Sequence, residues 1–160
     1  MPKNYWMLVT SPANFLITRE RGFTVEGIKS TNRKKAERME PDDRLLYYLT
    51  GIQRFASTAT VTSSHFEDHA VIWKGEKAAE DYPFRVHIRP DVVPDEAHYV
   101  DARQIAPSLE YVRKWPPEHW PLAFQGQLHL LPKRDFSVIE DEIRRAAQAG
   151  TMQVTEGQPR

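Results

Sequence analysis

The sequence predicts an α+β domain: a small, strongly curved mixed sheet, or partly closed β-barrel, with a few helices packed around it. Three observations carry this expectation. Five or six short runs rich in aromatic and β-branched residues recur between turn residues from Tyr5 to Leu131. Helical periodicity is short everywhere except near the C-terminus. The 160 residues suffice for one domain that buries its own core without metals or disulfides. Residues 1–150 are expected to form that single domain, and 151–160 a disordered tail.

The run "YWMLVT" places Tyr5, Met7 and Val9 on one face and Trp6, Leu8 and Thr10 on the other. Both faces are largely apolar, which predicts a central strand. Pro12, Asn14, Gly22 and Gly27 carry turn chemistry, so residues 11–28 read as a long irregular connection. Ser30, Thr31 or Asn32 caps a helix that runs to about Met39 and is stopped by Pro41. Residues 44–50 and the run "IQRFASTATVTSS", where Phe55, Ser57, Ala59 and Val61 alternate with Ala56, Thr58, Thr60 and Thr62, read as a hairpin turned at Gly51, and residues 69–73 as a further short strand. In "FRVHIRP", Phe84, Val86 and Ile88 alternate with Arg85, His87 and Arg89; the first set faces inward, and Pro90 closes the strand. Residues 101–114 read as a helix with Ile105, Leu109 and Val112 on one stripe. "WPPEHWPLAF" is a rigid aromatic loop, and residues 127–131 form the last strand. The final helix carries the stripe Phe136, Ile139, Ile143, Ala146, Ala147, with Glu140–Arg144 and Asp141–Arg145 as i,i+4 pairs, and ends at Gly150.

Lys and Arg balance Asp and Glu, so net charge offers no argument for nucleic acid. The distribution is uneven. Lys29, Arg33, Lys34, Lys35 and Arg38 cluster with Glu37 as the only acid among them, while residues 67–81 tip acidic. The basic stretch is either a solvated helix face or a surface for a phosphate backbone. The absence of cysteine removes disulfides, thiolate metal sites and cysteine nucleophiles. With no long apolar run at the N-terminus, the expected location is cytoplasmic, with no membrane partner.

No constellation of catalytic residues emerges. His65 and His69 are spaced i,i+4 but lack a third ligand nearby, so no metal is expected. Asp42 and Asp43 enter a strand on opposite sides and read as a turn. Neither a G-x-S-x-G elbow nor a glycine-rich phosphate loop is present. What remains is a set of aromatics at strand ends, including Trp6, Tyr47, Tyr48, Phe55, Trp73, Phe84, Trp115 and Trp120. Most such residues build cores. Flat rings beside hydroxyl and backbone donors also suit a nucleobase lifted from its strand, where stacking is worth roughly 1–3 kcal/mol per base.

In order along the chain, "YWMLVTSPANF", "GIKSTNRKKAERMEPDDRLLYYLTG", "FASTATVTSS", "YPFRVHI" and "RDFSVIEDEI" resemble the EVE domain of the PUA-like superfamily, over residues 4–147. The resemblance implies a PUA-like curved sheet and, because the family is similar to YTH domains (readers of N6-methyladenine), a pocket for a modified or flipped base. Matched to the superfamily's pocket, the end of the first strand contributes Thr10, Ser11 and Asn14. The loop opening the first helix contributes Gly27, Ile28, Lys29, Ser30, Thr31 and Asn32. The implied aromatics are Trp6, Tyr48 and Phe55, and Arg33, Lys34 and Arg38 would meet the backbone phosphates. Lys29 stands where YTH domains carry a tryptophan of the aromatic cage. A lysine donates to a base carbonyl or a phosphate and does not stack as an indole does, so a modified cytosine fits at least as well as N6-methyladenine.

The expectation is a non-catalytic module, without cofactor, that reads a methylated or hydroxymethylated base in DNA or RNA. It is expected to work with a partner nuclease, helicase or RNA-processing protein. The alternatives are a nucleotide- or metabolite-binding module and a nucleotide hydrolase, for which His87 with Asp81 is the only candidate pair.

Overall fold

The computed structural model describes residues 3–75 and 81–157. Along the chain run β1 (Tyr5–Thr10), α1 (Pro12–Glu20), β2 (Val25–Ile28), α2 (Arg33–Arg38), β3 (Arg44–Leu49), β4 (Arg54–Val61), β5 (Phe66–Glu67), β6 (Phe84–Val92), β7 (Val100–Asp101), α3 (Ala102–Ile105), β8 (Leu128–Leu130) and α4 (Lys133–Gly157). The strands form one curled mixed sheet in the order β2-β6-β4-β3-β1-β8, with β5 beside β6 and β7 beside β4. Among the described residues only β1 and β3 pair in parallel, placing Trp6 opposite Leu45 and Thr10 opposite Leu49. Five or six strands are expected and eight are present among the described residues; β2, β5 and β7 are the unexpected ones, and β5 and β7 are two-residue strands too short to show alternation.

The apolar alternation of β1 has the predicted consequence. Trp6 and Leu8 enter one core with Phe15, Ile28, Tyr47, Val86 and Ile88, closed by Ala36 and Met39 beside α2. Met7 enters a second core with Leu46, Tyr48 and Phe55, closed by Phe136, Ile139 and Ile143 of α4. A strand flanked by β3 and β8 and covered on both faces must be apolar throughout.

Curvature comes from irregularities in the long strands. The β4–β6 register shifts between Thr58 and Ala59, and the β3–β4 register between Tyr47 and Tyr48. Such bulges bend and twist a strand. The first also corrects the expected strand end at Pro90. Ala59 pairs with Pro90 and Thr58 with Val92, so Pro90 sits at the bulge, where its missing N–H is tolerated, and β6 continues to Val92.

Several other expectations are corrected. Residues 11–28 hold α1 and β2, because Ser11 caps the helix through Oγ and Pro12 occupies its first position. Residues 69–73 are not a strand. Residues 101–114 break into α3 and two 3-10 turns, since Pro107 interrupts the ladder and Leu109 is extended. The helix α4 continues through Gly150 to Gly157. Arg144 pairs with Glu140 as expected, but Arg145 pairs with Glu142 rather than Asp141. The acidic run expected at residues 67–81 lies partly outside the described residues. Among the described residues no helix is long and apolar enough to cross a membrane.

Candidate functional site

The parallel strands β1 and β3 end together. Thr50 N–H still donates to the Thr10 carbonyl at 2.9 Å; beyond it Ser11 starts α1, and Gly51, with φ +79°, turns the other chain away. The divergence leaves a cavity of about 230 Å3 whose walls include Thr10, Ser11, Asn14, Lys29 and Thr50. Lys74, Tyr82, Gly126 and Gln127 complete it from distant parts of the chain. The volume lies below the roughly 300–1,000 Å3 typical for drug-sized ligands and suits one flat ring.

Three polar side chains build the walls. Ser11 Oγ accepts the Asn14 N–H at 3.1 Å, leaving its own hydrogen able to donate. The Asn14 side chain pairs with the Lys74 peptide as a strand neighbour would: Nδ2 donates to the Lys74 carbonyl at 2.8 Å, and the Lys74 N–H donates to Oδ1 at 3.0 Å. Gln127 fixes the opposite wall. Its Oε1 accepts the Lys29 N–H at 2.7 Å and its Nε2 donates to the Gly27 carbonyl at 3.0 Å. Lys29 is held at the mouth with Nζ 5.8 Å from the centre of the Tyr82 ring, within cation–π range.

Behind the wall, Gly27 permits a close packing that no other residue allows. A Cβ at this position would stand 2.4 Å from Cζ3 of Trp73 and 2.8 Å from Cβ of Tyr82. The Trp73 indole donates to Thr18 Oγ1 at 2.9 Å, and Thr18 donates to Glu26 Oε1 at 3.0 Å. Tyr47 Oη donates to the same oxygen at 2.8 Å. Burial pushes the Glu26 carboxyl up to about 7, against the hydrogen bonds from Tyr47, Gly27 and Thr18 that lower it. The Tyr47 hydroxyl is raised as well, by burial and by Glu26.

Of the residues that the family resemblance names, Thr10, Ser11, Asn14 and Lys29 line this one cavity. Ser30, Thr31 and Asn32 line an adjoining hollow with Lys29, Asp81, Gly126 and Gln127. The three predicted aromatics do not line the cavity. Trp6 is fully buried, with its indole N–H donating to Asp43 Oδ2 at 2.9 Å. Tyr48 and Phe55 pack against Phe124 in the second core. Ile28 also points into a core, and Gly27 contributes through its packing against Trp73 and its carbonyl. Among the described residues the cavity's one ring is Tyr82, and its lining charges are Lys29 and Lys74.

Of the predicted phosphate contacts, Arg33 pairs with Glu37 at 2.9 Å while Lys34 and Arg38 are exposed on α2. Lys35 is tied to the body by donating from Nζ to the Leu128 carbonyl at 2.7 Å. Lys74, Tyr82 and Gln127 were missed. An isolated glycine within a strand, Gly27, is the local signal of a close neighbour, though it does not say which.

The other candidates disperse. His69 bonds Glu67 and Asp81 on the surface, and those partners raise its pKa. His65 lies against Phe84, and His87 stacks on Phe66, so His87 and Asp81 form no catalytic pair. Asp42 takes φ +75° in the turn. Asp43 is buried, accepting N–H groups from Asn4 and Glu40 as well as Trp6. Among the described residues no group of three or more His, Cys, Asp or Glu is placed to hold a metal.

A curled half-barrel sheet with helices around it, and a cavity where its two parallel strands diverge, defines a PUA-like α+β domain of the kind seen in YTH proteins. The YTH domain of Zygosaccharomyces rouxii MRB1, solved in complex with N6-methyladenosine RNA, superposes with a TM-score of 0.65 at 15% identity, covering 89% of this chain and 87% of that one. A hypothetical protein from Leishmania major gives 0.62 at 14% identity, covering 90% and 96%. Residues 4–120 match the EVE domain, and the chain belongs to that family. A UPF0310 protein of Pyrococcus abyssi is similar as well, 24% identical over 146 residues that cover 86% of this chain and 97% of the relative.

Proposed function

We propose that this protein is a non-catalytic module that binds a modified nucleobase in DNA or RNA, seating the base in the cavity between Ser11 and Gln127. The observation that carries this reading is the convergence of Thr10, Ser11, Asn14 and Lys29 on one base-sized cavity in a chain of the EVE family. The fold's likeness to a YTH domain solved with methylated RNA supports it.

On this reading Tyr82 offers one stacking face, Ser11 Oγ a hydrogen donor and Lys29 a cation for a base carbonyl or a phosphate. One ring with two lysines is a more polar receptacle than an aromatic cage, which favours a cytosine derivative over N6-methyladenine. Lys34 and Arg38 meet flanking phosphates, and the module works in the cytoplasm beside a partner nuclease, helicase or RNA-processing protein.

Fluorescence anisotropy at fixed salt tests this, using matched single- and double-stranded DNA and RNA that is plain or carries 5-methylcytosine, 5-hydroxymethylcytosine or N6-methyladenine. The expected result is a preference for one modified base that Ser11→Ala and Lys29→Ala both weaken. Equal, salt-sensitive binding to all would reduce the protein to a nonspecific basic surface.

A further inference from the structure

A second concavity lies outside the base cavity. It has a volume of about 570 Å3 and is walled by Tyr111, Trp115, Leu122 and Pro132, with Arg113 and Lys114 at its edge. Trp115 is 42% exposed and Leu122 39%. The other three tryptophans, Trp6, Trp73 and Trp120, are buried. An exposed indole in a cleft is a large apolar surface that the fold itself does not use.

The charge around it is complementary to phosphate. Arg113 and Lys114 are exposed and make no ion pair among the described residues. The Asp135 carboxylate accepts the backbone N–H groups of Glu110 and Tyr111, at 3.0 and 2.7 Å, and does not line the cleft; among the described residues Glu110 is the one acid that does.

The cleft is also wired to the base cavity. Tyr111 Oη lies 2.7 Å from His129 Nδ1, and His129 Nε2 lies 3.1 Å from the Gly126 carbonyl. A carbonyl only accepts, so Nε2 carries the proton and Nδ1 accepts from Tyr111. Burial lowers the His129 pKa and keeps the ring in this neutral form. Gly126 lines both hollows beside Lys29.

We propose that this cleft is a second nucleic-acid subsite, where an unpaired base flanking the recognised nucleotide stacks on Trp115 and its phosphates meet Arg113 and Lys114. The proposal rests on the base-cavity reading and deepens it: the preferred ligand is a single strand longer than the recognised nucleotide. Aromatic stacking next to unpaired cations is how single strands are held without sequence preference.

The test titrates the protein with single-stranded oligonucleotides, each bearing the preferred modified base at its centre, with flanks of increasing length. Tryptophan emission and anisotropy are read together. Trp115 emission is expected to be quenched only once flanking nucleotides are present. Trp115→Ala is expected to weaken the long oligonucleotide about 5- to 150-fold, the equivalent of one stacked base. The isolated modified nucleotide should bind the variant unchanged, and Trp115→Phe should retain most of the affinity. Unchanged long-strand affinity in Trp115→Ala, with the modified-base preference intact, overturns this subsite alone. No binding of any oligonucleotide overturns both readings. Quenching by a proline-rich peptide but by no oligonucleotide would assign the cleft to a protein partner instead.

Discussion

Asn14 and Lys74 hold each other through a two-way pair, with side-chain amide against backbone peptide at 2.8 and 3.0 Å. Asn14 is buried, and its partner sits in a segment with no regular structure. One side chain therefore holds Lys74, and also meets the Tyr82 hydroxyl at 3.4 Å, two of the residues that wall the cavity. Asn14→Ala is expected to lose roughly 1–3 kcal/mol of stability and to weaken modified-base binding. Asn14→Asp should fare no better, because a carboxylate cannot donate to the Lys74 carbonyl. Urea denaturation beside anisotropy checks both, and an Asn14→Ala protein with wild-type affinity would show that the loop is not anchored here.

Gly27 answers to space rather than to a turn. Gly27→Ala is expected to cost about 1–3 kcal/mol by forcing Trp73 and Tyr82 away. Pairing it with Trp73→Leu should recover part of that loss in a double-mutant cycle. Strict additivity of the two changes would mean the clash is relieved elsewhere.

The buried Glu26 makes stability depend on pH. Its carboxyl is raised from 4.5 to about 7, so the folded state binds the proton more tightly than the unfolded chain. The contribution is fully present below about 4.5 and is lost as pH rises through 7. Between pH 5 and 8 it amounts to roughly 2–3 kcal/mol. Glu26→Gln should flatten the difference between chemical denaturation at the two values. His129 has the opposite slope, losing its contribution as pH falls below its ordinary value, but it is common to both proteins and cancels in the comparison.

Trp6 separates stability from recognition. Trp6→Phe removes the indole donor to Asp43 and should destabilise by roughly 1–3 kcal/mol. The ratio of affinities for modified and plain oligonucleotides should not change, since the ring lies in the core. A changed ratio would return Trp6 to the recognition site.

How far the sequence can be read follows from where each residue's partners lie. The alternation in β1 and β6 and the stripe of α4 are legible because the apolar side chains on each face meet a single core. Arg85 shows the limit. It alternates with Val86 in "FRVHIRP" and reads as solvent-facing, yet it is buried. Nε donates to the Tyr82 carbonyl at 3.1 Å, another N–H donates to the Ala70 carbonyl, and Trp73 covers the guanidinium at 5.2 Å. A strand's period tells which residues share a face, not what later chain covers it.

The same distinction divides the candidate site. The strands β1, β3, β4 and β6, the final helix and the cluster of cations from Lys29 to Arg38 follow from the sequence by itself, because neighbours in the chain determine them, whereas the helix capped at Ser11 reads there as an irregular connection. Which aromatic meets the cavity was decided only in three dimensions. The parallel β1–β3 register drives Trp6 into the core beside Asp43, and the loop after β5 brings Tyr82 to the mouth instead. Gln127 bonds Lys29 across 98 positions of sequence. No local pattern encodes such a bond, because a cavity is the space left where separately specified elements diverge, and its walls come from whichever distant segments pack there.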